Sequence, residues 1–249
     1  MTTKTLLGKV AIVTGSSRGI GRAIAERLAR DGARIVINYA SSEAKAQQVR
    51  QSIEQAGGQA LLVRADVSRT NEITALFQQT LTEWGRIDIF VANAGVPSRE
   101  AFTQVTEDHY DQVFAINTKG VFFALQEAAR HVSDGGRILN ISSGQTIHPA
   151  ENFALYAGSK AAAKLFVQVL AQEIGYRGVT VNNLIAGPVD VGFLENAEAG
   201  YKTTMAQASA LKRLATAEDI ADAVALLVSG DARFITGQDI VVDGGATHF

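Results

Sequence analysis

Short apolar runs alternate with longer segments of helical periodicity along almost the whole chain, and this alternation limits the possible folds most strongly. Near-continuous runs of valine, isoleucine and leucine are typical of strands buried on both faces, as in a parallel sheet covered by helices. Strands are predicted at 9–14, 34–38, 60–64, 87–93, 137–142, 180–186 and 239–243, and helices at 19–30, 42–56, 70–84, 106–132, 155–174 and 217–229. With short connections between these elements, the sequence predicts a doubly wound α/β fold with a seven-stranded parallel sheet and helices on both faces.

The length and composition indicate one domain. A chain of 249 residues with 47% hydrophobic residues can bury one large core, and no proline-rich linker interrupts it. Residues 1–249 are therefore expected to form a single domain. Within it, 188–216 has no strand signal and many small polar residues, which is typical of a lid-like substrate loop.

Charge and cysteine content exclude several classes of function. The 23 basic and 25 acidic residues give a net charge of -2, which predicts neither a nucleic acid nor a membrane surface as a partner. The absence of cysteine excludes disulfides, thiolate metal sites and a cysteine nucleophile. The four histidines lack the spacing of metal ligands, so no metal is expected. The N-terminus has no long apolar core, which predicts a cytoplasmic protein.

A glycine-rich turn, TGSSRGIG at 14–21, directly follows the first predicted strand and begins the first helix. Gly15 permits a tight turn, Gly19 allows close approach of a pyrophosphate, and Gly21 allows close helix packing, while N–H groups at the helix start hold the anion. The spacing differs from the standard G-x-G-x-x-G, and such glycines can also serve the backbone alone. Its position favours a Rossmann-type dinucleotide site. The turn residues assigned to the cofactor are Gly15, Ser17, Arg18, Gly19, Ile20 and Gly21.

The end of the second strand indicates which dinucleotide is bound. An acidic residue that accepts the ribose 2′-hydroxyl of NAD is missing, because residues 38–40 are Asn-Tyr-Ala. Without a carboxylate to repel a 2′-phosphate, and with Ser41, Ser42 and Arg18 as donors beside Tyr39, NADP(H) is the expected cofactor. Alternatively, Ser41 or Ser42 caps the following helix, and both roles can coexist.

Six motifs occur together in order: TGSSRGIG, ADVS at 65–68, ANAG at 92–95, Asn117, Ser143 and YAGSK at 156–160. In this combination the chain resembles the short-chain dehydrogenase/reductase family over nearly its whole length, and it is most similar to the 3-oxoacyl-[acyl-carrier-protein] reductases. The resemblance implies an NADPH-dependent oxidoreductase that reduces a ketone, such as a 3-oxoacyl thioester, to a secondary alcohol. The alternatives are a sugar or secondary-alcohol dehydrogenase working oxidatively with NAD(P), and a non-catalytic dinucleotide-binding regulator.

The resemblance implies that Tyr156 donates the proton to the reacting oxygen. An unperturbed tyrosine has a pKa of about 10, which is too high for efficient proton exchange near neutral pH. Lys160 lies four residues later and shares a helix face with Tyr156, so its charge is expected to lower that pKa. Residues 157–159 are small, which would keep this face open for cofactor and substrate. By resemblance, Lys160 also binds the nicotinamide ribose.

Two further residues complete the implied catalytic set. Ser143 follows the fifth strand and would hold the substrate oxygen; Ser142 competes for this role, but the family spacing selects Ser143. Either serine can instead satisfy loop backbone groups. Asn117 lies among weak helix formers that suggest a local distortion, and by resemblance its backbone holds a water linked to the lysine. The alternative is a satisfied polar residue in a helix kink.

The resemblance also assigns residues around the adenosine. Asp66 would accept a hydrogen bond from the adenine amino group and Val67 would supply a backbone contact, although Asp66 can also cap the following helix. Asn93 is expected to tie the end of strand four to its neighbours. Ala94 and Gly95 would leave room for the ribose.

The segment after strand six departs from the family pattern. Ala186 replaces the usual proline, Gly187 and Pro188 remain, and Val191 stands where a threonine is usual. The nicotinamide carboxamide is therefore expected to contact only the backbone of Val189 and Val191.

Substrate choice is expected to depend on loops 96–104 and 188–216. Phe102, Phe153, Phe193 and Leu194 suggest an apolar pocket there, although such residues also pack inward. Segment 234–245 is similar to the family's last strand and oligomer contact, which implies a homotetramer.

Overall fold

The computed structural model describes residues 5–195 and 197–246, apart from the side chain of Phe193, and contains one seven-stranded sheet. The strands are β1 (Val10–Val13), β2 (Arg34–Tyr39), β3 (Gln59–Arg64), β4 (Ile87–Ala92), β5 (Val132–Ser143), β6 (Thr180–Ala186) and β7 (Asp239–Val242). Their order is β3-β2-β1-β4-β5-β6-β7, and every neighbouring pair is parallel. The predicted doubly wound parallel sheet is confirmed.

Helices cover both faces of the sheet. They are α1 (Gly19–Arg30), α2 (Glu43–Gln55), α3 (Thr70–Trp84), α4 (Glu107–Phe114), α5 (Val121–His131), α6 (Ala154–Ile174), α7 (Ala199–Ala208) and α8 (Ala217–Val228). One apolar core contains Ile24 of α1 and Val224 of α8, and a second contains Phe77 of α3 and Val167 of α6. Because both faces are covered, the strands are apolar on both sides.

The prediction of one continuous helix at 106–132 is wrong. Residues Ala115–Gly120 form a π-helical segment between α4 and α5, which agrees with the distortion expected around Asn117. The predicted helix also extends one residue too far, since β5 begins at Val132, five residues before its predicted start. A register shift then follows, with Gly135 at φ +73°. The sequence Asp-Gly-Gly concealed this strand start because it is typical of a turn.

The segment 188–216 is an excursion with little secondary structure. It is closed at its base by a bridge between Val189 and Ala215, and it contains a 3₁₀ turn at Gly192–Leu194 and helix α7. Helix α7 has no buried residue, so few apolar contacts hold it in place. None of the helices in the described residues is long and apolar enough to cross a membrane.

The strand order reverses between β1 and β4, which places the functional edge of the sheet. From β1 the chain proceeds outward to β2 and β3, and from β4 it proceeds the other way. In open α/β sheets, ligands bind beyond the carboxyl ends of the strands at such a switch point. The glycine-rich turn and the segments after β4, β5 and β6 all begin at this edge.

Candidate active site

The glycine-rich turn has the geometry of an anion cradle. Gly15 and Gly19 have φ values of +63° and +54°, which favour glycine. A Cβ atom at Gly21 would lie 2.5 Å from the Asn93 Nδ2 atom, so only glycine fits there. Helix α1 begins after Arg18, which makes no side-chain capping bond, and this leaves the first N–H groups of the helix for a ligand.

Two asparagines hold this turn in place. The Asn38 Oδ1 atom accepts a hydrogen bond from the Gly15 N–H (3.1 Å), and its Nδ2 atom donates to the Ala65 carbonyl (3.0 Å). The Asn93 Nδ2 atom donates to the Thr14 carbonyl (2.9 Å), as expected for a residue that ties β4 to its neighbour. Because Asn38 is fully buried, its side chain supports the turn from below.

Several hydrogen-bond donors lie near the carboxyl end of β2, and those described below have no acidic partner within the described residues. Tyr39 is buried at the end of β2, whereas Ser41 is exposed. Ser42 occupies the N-cap of α2 but makes no side-chain capping bond, so the capping alternative is not what this structure shows for Ser42. The side chain of Arg18 is exposed and makes no hydrogen bond or ion pair within the described residues; Ser17 and Ile20 beside it are partly exposed.

Sequence reasoning missed Arg64, the last residue of β3. Arg64 lies opposite Tyr39 in the sheet register, and its Nε atom donates to the Ala40 carbonyl (3.1 Å). Its guanidinium therefore lies beside the loop that carries Ser41 and Ser42. Its position as the final strand residue before the ADVS motif was the available signal.

The Asp66 carboxylate bonds groups within the turn that contains it. Its Oδ1 atom accepts hydrogen bonds from the Ser68 N–H (2.9 Å) and hydroxyl (2.8 Å), while the N-cap of α3 is Arg69. The carboxylate stabilises the turn before α3 and does not cap the helix. The Val67 carbonyl packs so closely that a Cβ atom at Gly120 would lie 2.4 Å from it. Asp66 thus retains one oxygen for a ligand, with the Arg69 Nε atom 3.9 Å away.

Ser143 and Tyr156 meet at the carboxyl end of β5. The Ser143 hydroxyl lies close enough to the phenol to lower its pKa, and the Ser143 Oγ atom accepts a hydrogen bond from the Gln145 N–H (3.3 Å). Ser142 points elsewhere, since its buried hydroxyl has no partner among the described residues. The structure therefore brings Ser143 to the phenol, and not Ser142.

Lys160 lies fully inside the site. Its Nζ atom donates to the Ile141 carbonyl (3.0 Å), and no carboxylate pairs with it in the described part of the chain. Burial without a counter-ion lowers the pKa of Lys160 to about 8.

The expectation that Lys160 lowers the pKa of Tyr156 is wrong for this structure. Burial raises the pKa of the Tyr156 phenol, and the hydrogen bond from Ser143 offsets only part of that rise. The physical reason is that both charged forms lose water here, so the phenolate and the ammonium are each disfavoured before any ligand is considered.

Asn117 joins three elements through its side chain. Its Nδ2 atom donates to the Val96 carbonyl (2.9 Å) and to the Ser159 hydroxyl (3.1 Å), and its Oδ1 atom accepts from the Val96 N–H (2.9 Å). The Ser159 hydroxyl donates in turn to the Tyr156 carbonyl (2.8 Å). The amide is therefore satisfied within the π segment, and the water-holding role of its backbone stays a prediction.

The expectation that residues 157–159 keep one helix face open is wrong for Ser159. That residue is fully buried, because its hydroxyl links α6 to the π segment. Ala157 is partly exposed, and a Cβ atom at Gly158 would meet nothing within 4 Å. Three consecutive helical residues point in different directions, so they cannot all face one ligand.

Gly95 packs closely against two side chains of the site, which the sequence did not indicate. A Cβ atom there would lie 3.1 Å from the Lys160 Nζ atom and 3.2 Å from the Asn117 Oδ1 atom. Gly95 thus gives space to the lysine, in addition to any space for a ribose. Ala94 beside it packs against Gly15, whose Cβ position is 3.0 Å from the Ala94 Cα atom.

The segment after β6 closes the other side of the cradle. A Cβ atom at Gly187 would lie 2.5 Å from the nearest atom after β7, so this glycine permits close packing before Pro188. The Val191 N–H donates to the Val189 carbonyl (2.8 Å), so two of the backbone groups expected to bind a carboxamide already bond each other. The Val191 side chain lies 3.9 Å from the Cβ position of Gly19.

An aromatic and cationic group lies beside the phenol. The rings of Phe153 and Tyr156 pack edge to face with centroids 6.5 Å apart, and the guanidinium of Arg99 lies over Phe153 (5.9 Å) and Tyr201 (5.4 Å). Phe153 is buried, whereas Phe102 is 80% exposed.

Two further residues were suggested for the apolar pocket, Phe193 and Leu194. Leu194 is buried, so it packs inward, and the side chain of Phe193 lies outside the described residues. Within 5–195 and 197–246, no three histidine or acidic side chains could hold a metal ion.

Known proteins similar to this chain match it over nearly its whole length. A family model described as enoyl-(acyl carrier protein) reductase matches residues 15–247. A hydroxynaphthalene reductase-like protein of Metarhizium brunneum is 39% identical over 259 residues, covering 98% of this chain and 97% of the relative. A solved short chain dehydrogenase from Burkholderia cenocepacia in complex with NADP is 37% identical, with a TM-score of 0.93 over 98% of this chain and 100% of that chain. The angucycline C-6 ketoreductase LanV with bound NADP is 39% identical, with a TM-score of 0.92 over 97% and 96%.

Proposed function

Because this chain belongs to the short-chain dehydrogenase/reductase family of oxidoreductases, we propose that it reduces a ketone to a secondary alcohol with NADPH. The observation that carries this proposal is that Ser143 at the end of β5 lies beside the phenol of Tyr156, on the helix whose buried Lys160 bonds the same strand. Two hydroxyls that converge on one point are suited to hold a carbonyl oxygen. The substrate is a 3-oxoacyl thioester or a similar small carbonyl compound.

The described residues fit a bound NADP(H). The cradle at Gly15 and Gly19 accepts the pyrophosphate, since a Cβ atom at Gly19 would meet only Val191, at 3.9 Å. Arg18 and Arg64, with the hydroxyls of Ser41 and Ser42, supply positive charge and donors for the 2′-phosphate. The NADP complexes of the Burkholderia cenocepacia enzyme and of LanV support this choice.

The mechanism assigns one task to each interior side chain. The reduced nicotinamide supplies the hydride when bound. Ser143 donates a hydrogen bond to the carbonyl oxygen and orients it toward the phenol. Tyr156 gives its proton to that oxygen, and its raised pKa keeps the proton on the phenol until the oxygen becomes basic.

Lys160 and Asn117 support the proton donor. With a pKa of about 8, Lys160 stays largely protonated at neutral pH, and its buried ammonium would hold the nicotinamide ribose so that the cofactor lies beside the phenol. Asn117 fixes the loop after β4 and helix α6 relative to each other through Val96 and Ser159. This holds the reacting groups on rigid elements.

Two other activities remain distinct alternatives. The matching family model is described as an enoyl reductase, which would reduce a carbon–carbon double bond, and an oxidative alcohol dehydrogenase would use the same residues in reverse. The Ser143–Tyr156 pair fits ketone reduction, because its hydroxyls can bond the oxygen that becomes the alcohol; they could also bond the thioester carbonyl of an enoyl substrate, so turnover decides between the two.

The test follows NADPH absorbance with a panel of 3-oxoacyl thioesters, cyclic ketones and enoyl thioesters. We expect turnover of ketones, with a rate about a thousandfold lower in Tyr156→Phe, within the range for loss of a general acid. Tyr110→Phe removes an exposed hydroxyl elsewhere and is the matched control. Full activity of Tyr156→Phe, or turnover of enoyl thioesters alone, would overturn the proposal.

The homotetramer expected from the sequence also remains a proposal. An apolar groove of about 490 Å³ is lined by Phe114, Phe122, Phe123 and Phe166, and Phe122 is 43% exposed. A second copy that covers this groove would remove these rings from water. Light scattering coupled to gel filtration should give four chains per particle, and a monomer would refute it.

A further inference from the structure

Arg99 is an exposed cation at the mouth of the proposed active site. It lies in the loop after β4, and its guanidinium carbon is 5.4 Å from the ring centre of Tyr201 and 5.9 Å from that of Phe153. Within the described residues it forms no hydrogen bond or ion pair through its side chain. The contacts that position it are therefore aromatic only.

The charged residues next to Arg99 and Tyr201 are already engaged with other groups. Glu100 bonds to the ring of His109 (2.7 Å), and Lys202 bonds to Asp190 (2.7 Å). Within the described residues, no carboxylate lies within ion-pair distance of the Arg99 guanidinium.

The way in which Arg99 is held leaves its donors available. A guanidinium is planar, and contact with aromatic faces uses its π surface while its five N–H donors lie in the plane. In-plane donors of this kind bind a carboxylate through two parallel hydrogen bonds. Both rings lie beside the guanidinium, and no hydrogen bond or ion pair within the described residues occupies its N–H donors.

The distance from Arg99 to the reacting phenol suits recognition within one small substrate. The Phe153 ring touches both residues, with its centroid 6.5 Å from that of Tyr156 and 5.9 Å from the guanidinium carbon. Arg99 lies no farther from the phenol ring than these two distances combined. An acyl chain of several bonds spans that separation.

We propose that Arg99 is a carboxylate subsite, and that the ketones this protein prefers carry a carboxylate several bonds from the carbonyl group. The proposal rests on the ketone reductase function above and names its substrate class. Phe153 and Tyr201 act as positioning residues that hold the guanidinium. Helix α7 has no buried residue of its own, so Tyr201 is its link to the site.

The experiment compares charge at constant length. Methyl ketones that end in a carboxylate, in a series of increasing chain length, are assayed beside their methyl esters with NADPH. The acid-to-ester ratio of kcat/KM should exceed one by about tenfold to a hundredfold at the best length, as expected for a charge-assisted hydrogen bond. In Arg99→Gln this ratio should fall to about one.

Three variants separate recognition from structure. Arg99→Lys keeps the charge but loses the planar fork, so its ratio should be intermediate. Tyr201→Leu should lower the ratio in the same direction as Arg99→Gln. Arg233→Gln removes an exposed cation before β7, at the opposite edge of the sheet, and should leave the ratio unchanged.

The outcomes distinguish this proposal from the proposed function. A wild-type ratio near one at every length, or equal loss of acid and ester turnover in Arg99→Gln, would overturn the subsite and leave the reductase standing. If no ketone is reduced, the proposed function fails. Calorimetric titration of the same oxo acids into the protein with NADP⁺ then decides the subsite, since binding lost in Arg99→Gln supports it and equal binding to both proteins refutes it.

Discussion

The interior of the proposed active site and its rim satisfy their polar groups in opposite ways. The interior cluster consists of Asn117, Ser143, Tyr156, Ser159 and Lys160, and the rim consists of Arg18, Arg64, Arg99 and Tyr201. The side chains of Asn117, Ser143, Ser159 and Lys160 each form a hydrogen bond within the cluster or with the backbone, as in the chain from Asn117 through Ser159 to the Tyr156 carbonyl. The rim arginines have no acidic partner within the described residues.

The difference follows from solvent access. A buried polar group without a hydrogen bond costs about 1–3 kcal/mol, so the interior cluster must be internally satisfied to exist at all. Exposed guanidinium groups carry no such desolvation cost, because water solvates them. They can therefore remain unpaired until an anion binds. The interior therefore fixes the chemistry on rigid elements, while the rim is free to select the ligand.

Lys160→Met tests the interior most severely. We expect kcat to fall about 10² to 10³-fold, because the variant loses the ammonium that would hold the nicotinamide ribose in position beside Tyr156. The free energy of unfolding at neutral pH should stay equal or rise, since a buried ammonium without a carboxylate is removed. NADPH turnover and urea unfolding measure the two effects.

Lys164→Met is the control for Lys160→Met. Lys164 lies on the same helix as Lys160, but its ammonium pairs with Asp239 of β7 (3.0 Å). Its replacement should therefore leave kcat nearly unchanged. A large loss of stability in Lys160→Met would contradict the view that function is the reason for this buried charge.

Two alanine substitutions compare the packing behind the interior with that of the rim. Ile24 is fully buried between α1 and α8, so Ile24→Ala should reduce the free energy of unfolding by about 2–5 kcal/mol. Gln207 lies exposed on α7, which has no buried residue, so Gln207→Ala should change the free energy of unfolding by less than about 0.5 kcal/mol. Similar losses measured by denaturant unfolding would show that α7 is as well anchored as α1.

The pH dependence of stability isolates the lysine. Its pKa is about 8 in the folded protein and 10.5 ordinarily, so between these values the unfolded state binds more protons. Wild-type stability should therefore rise relative to Lys160→Met by about 2–3 kcal/mol from pH 8 to about pH 10. Below pH 8 the difference should be constant. Urea unfolding of both proteins at each pH measures it, and a parallel pH dependence would refute a buried, depressed lysine.

Arg64→Gln makes the smallest change, at the rim. The Kd for NADP⁺ should increase about tenfold because one charge beside the 2′-phosphate is lost, while the Kd for NAD⁺ should stay the same. Calorimetric titration measures both, with Arg233→Gln as the control. An equal loss for both dinucleotides would assign Arg64 to the structure of the loop alone.

The family resemblance named Asn117, Ser143, Tyr156 and Lys160, and local pattern predicted the helix and strand that carry them better than it predicted their environment. Tyr156 and Lys160 lie within one helix, and Ser143 ends a strand as expected. The pKa of Tyr156 was nevertheless expected to fall, and burial raises it. The direction depends on how much water the surrounding elements exclude, which spacing along one helix does not contain.

Contacts between residues from distant segments were also not predictable from local sequence pattern. Gly95 gives space to Lys160 and Asn117, and Arg64 reaches the Ala40 carbonyl across two strands, yet neither relation has a periodic signal. The helix predicted at 106–132 is interrupted where weak helix formers indicated a distortion, and Asn117 in that π segment bonds Val96 and Ser159, which lie far away in the sequence.

By itself, the sequence determined the seven strands, the parallel doubly wound class and the edge at which ligands are expected to bind, because apolar periodicity and glycine turns are local properties of the chain. Only the tertiary structure decided that β1 lies beside β4, that Lys160 is buried without a counter-ion, and that Arg99 meets Phe153 and Tyr201. These outcomes depend on which distant surfaces exclude water from one another, and that is settled by packing of the whole chain.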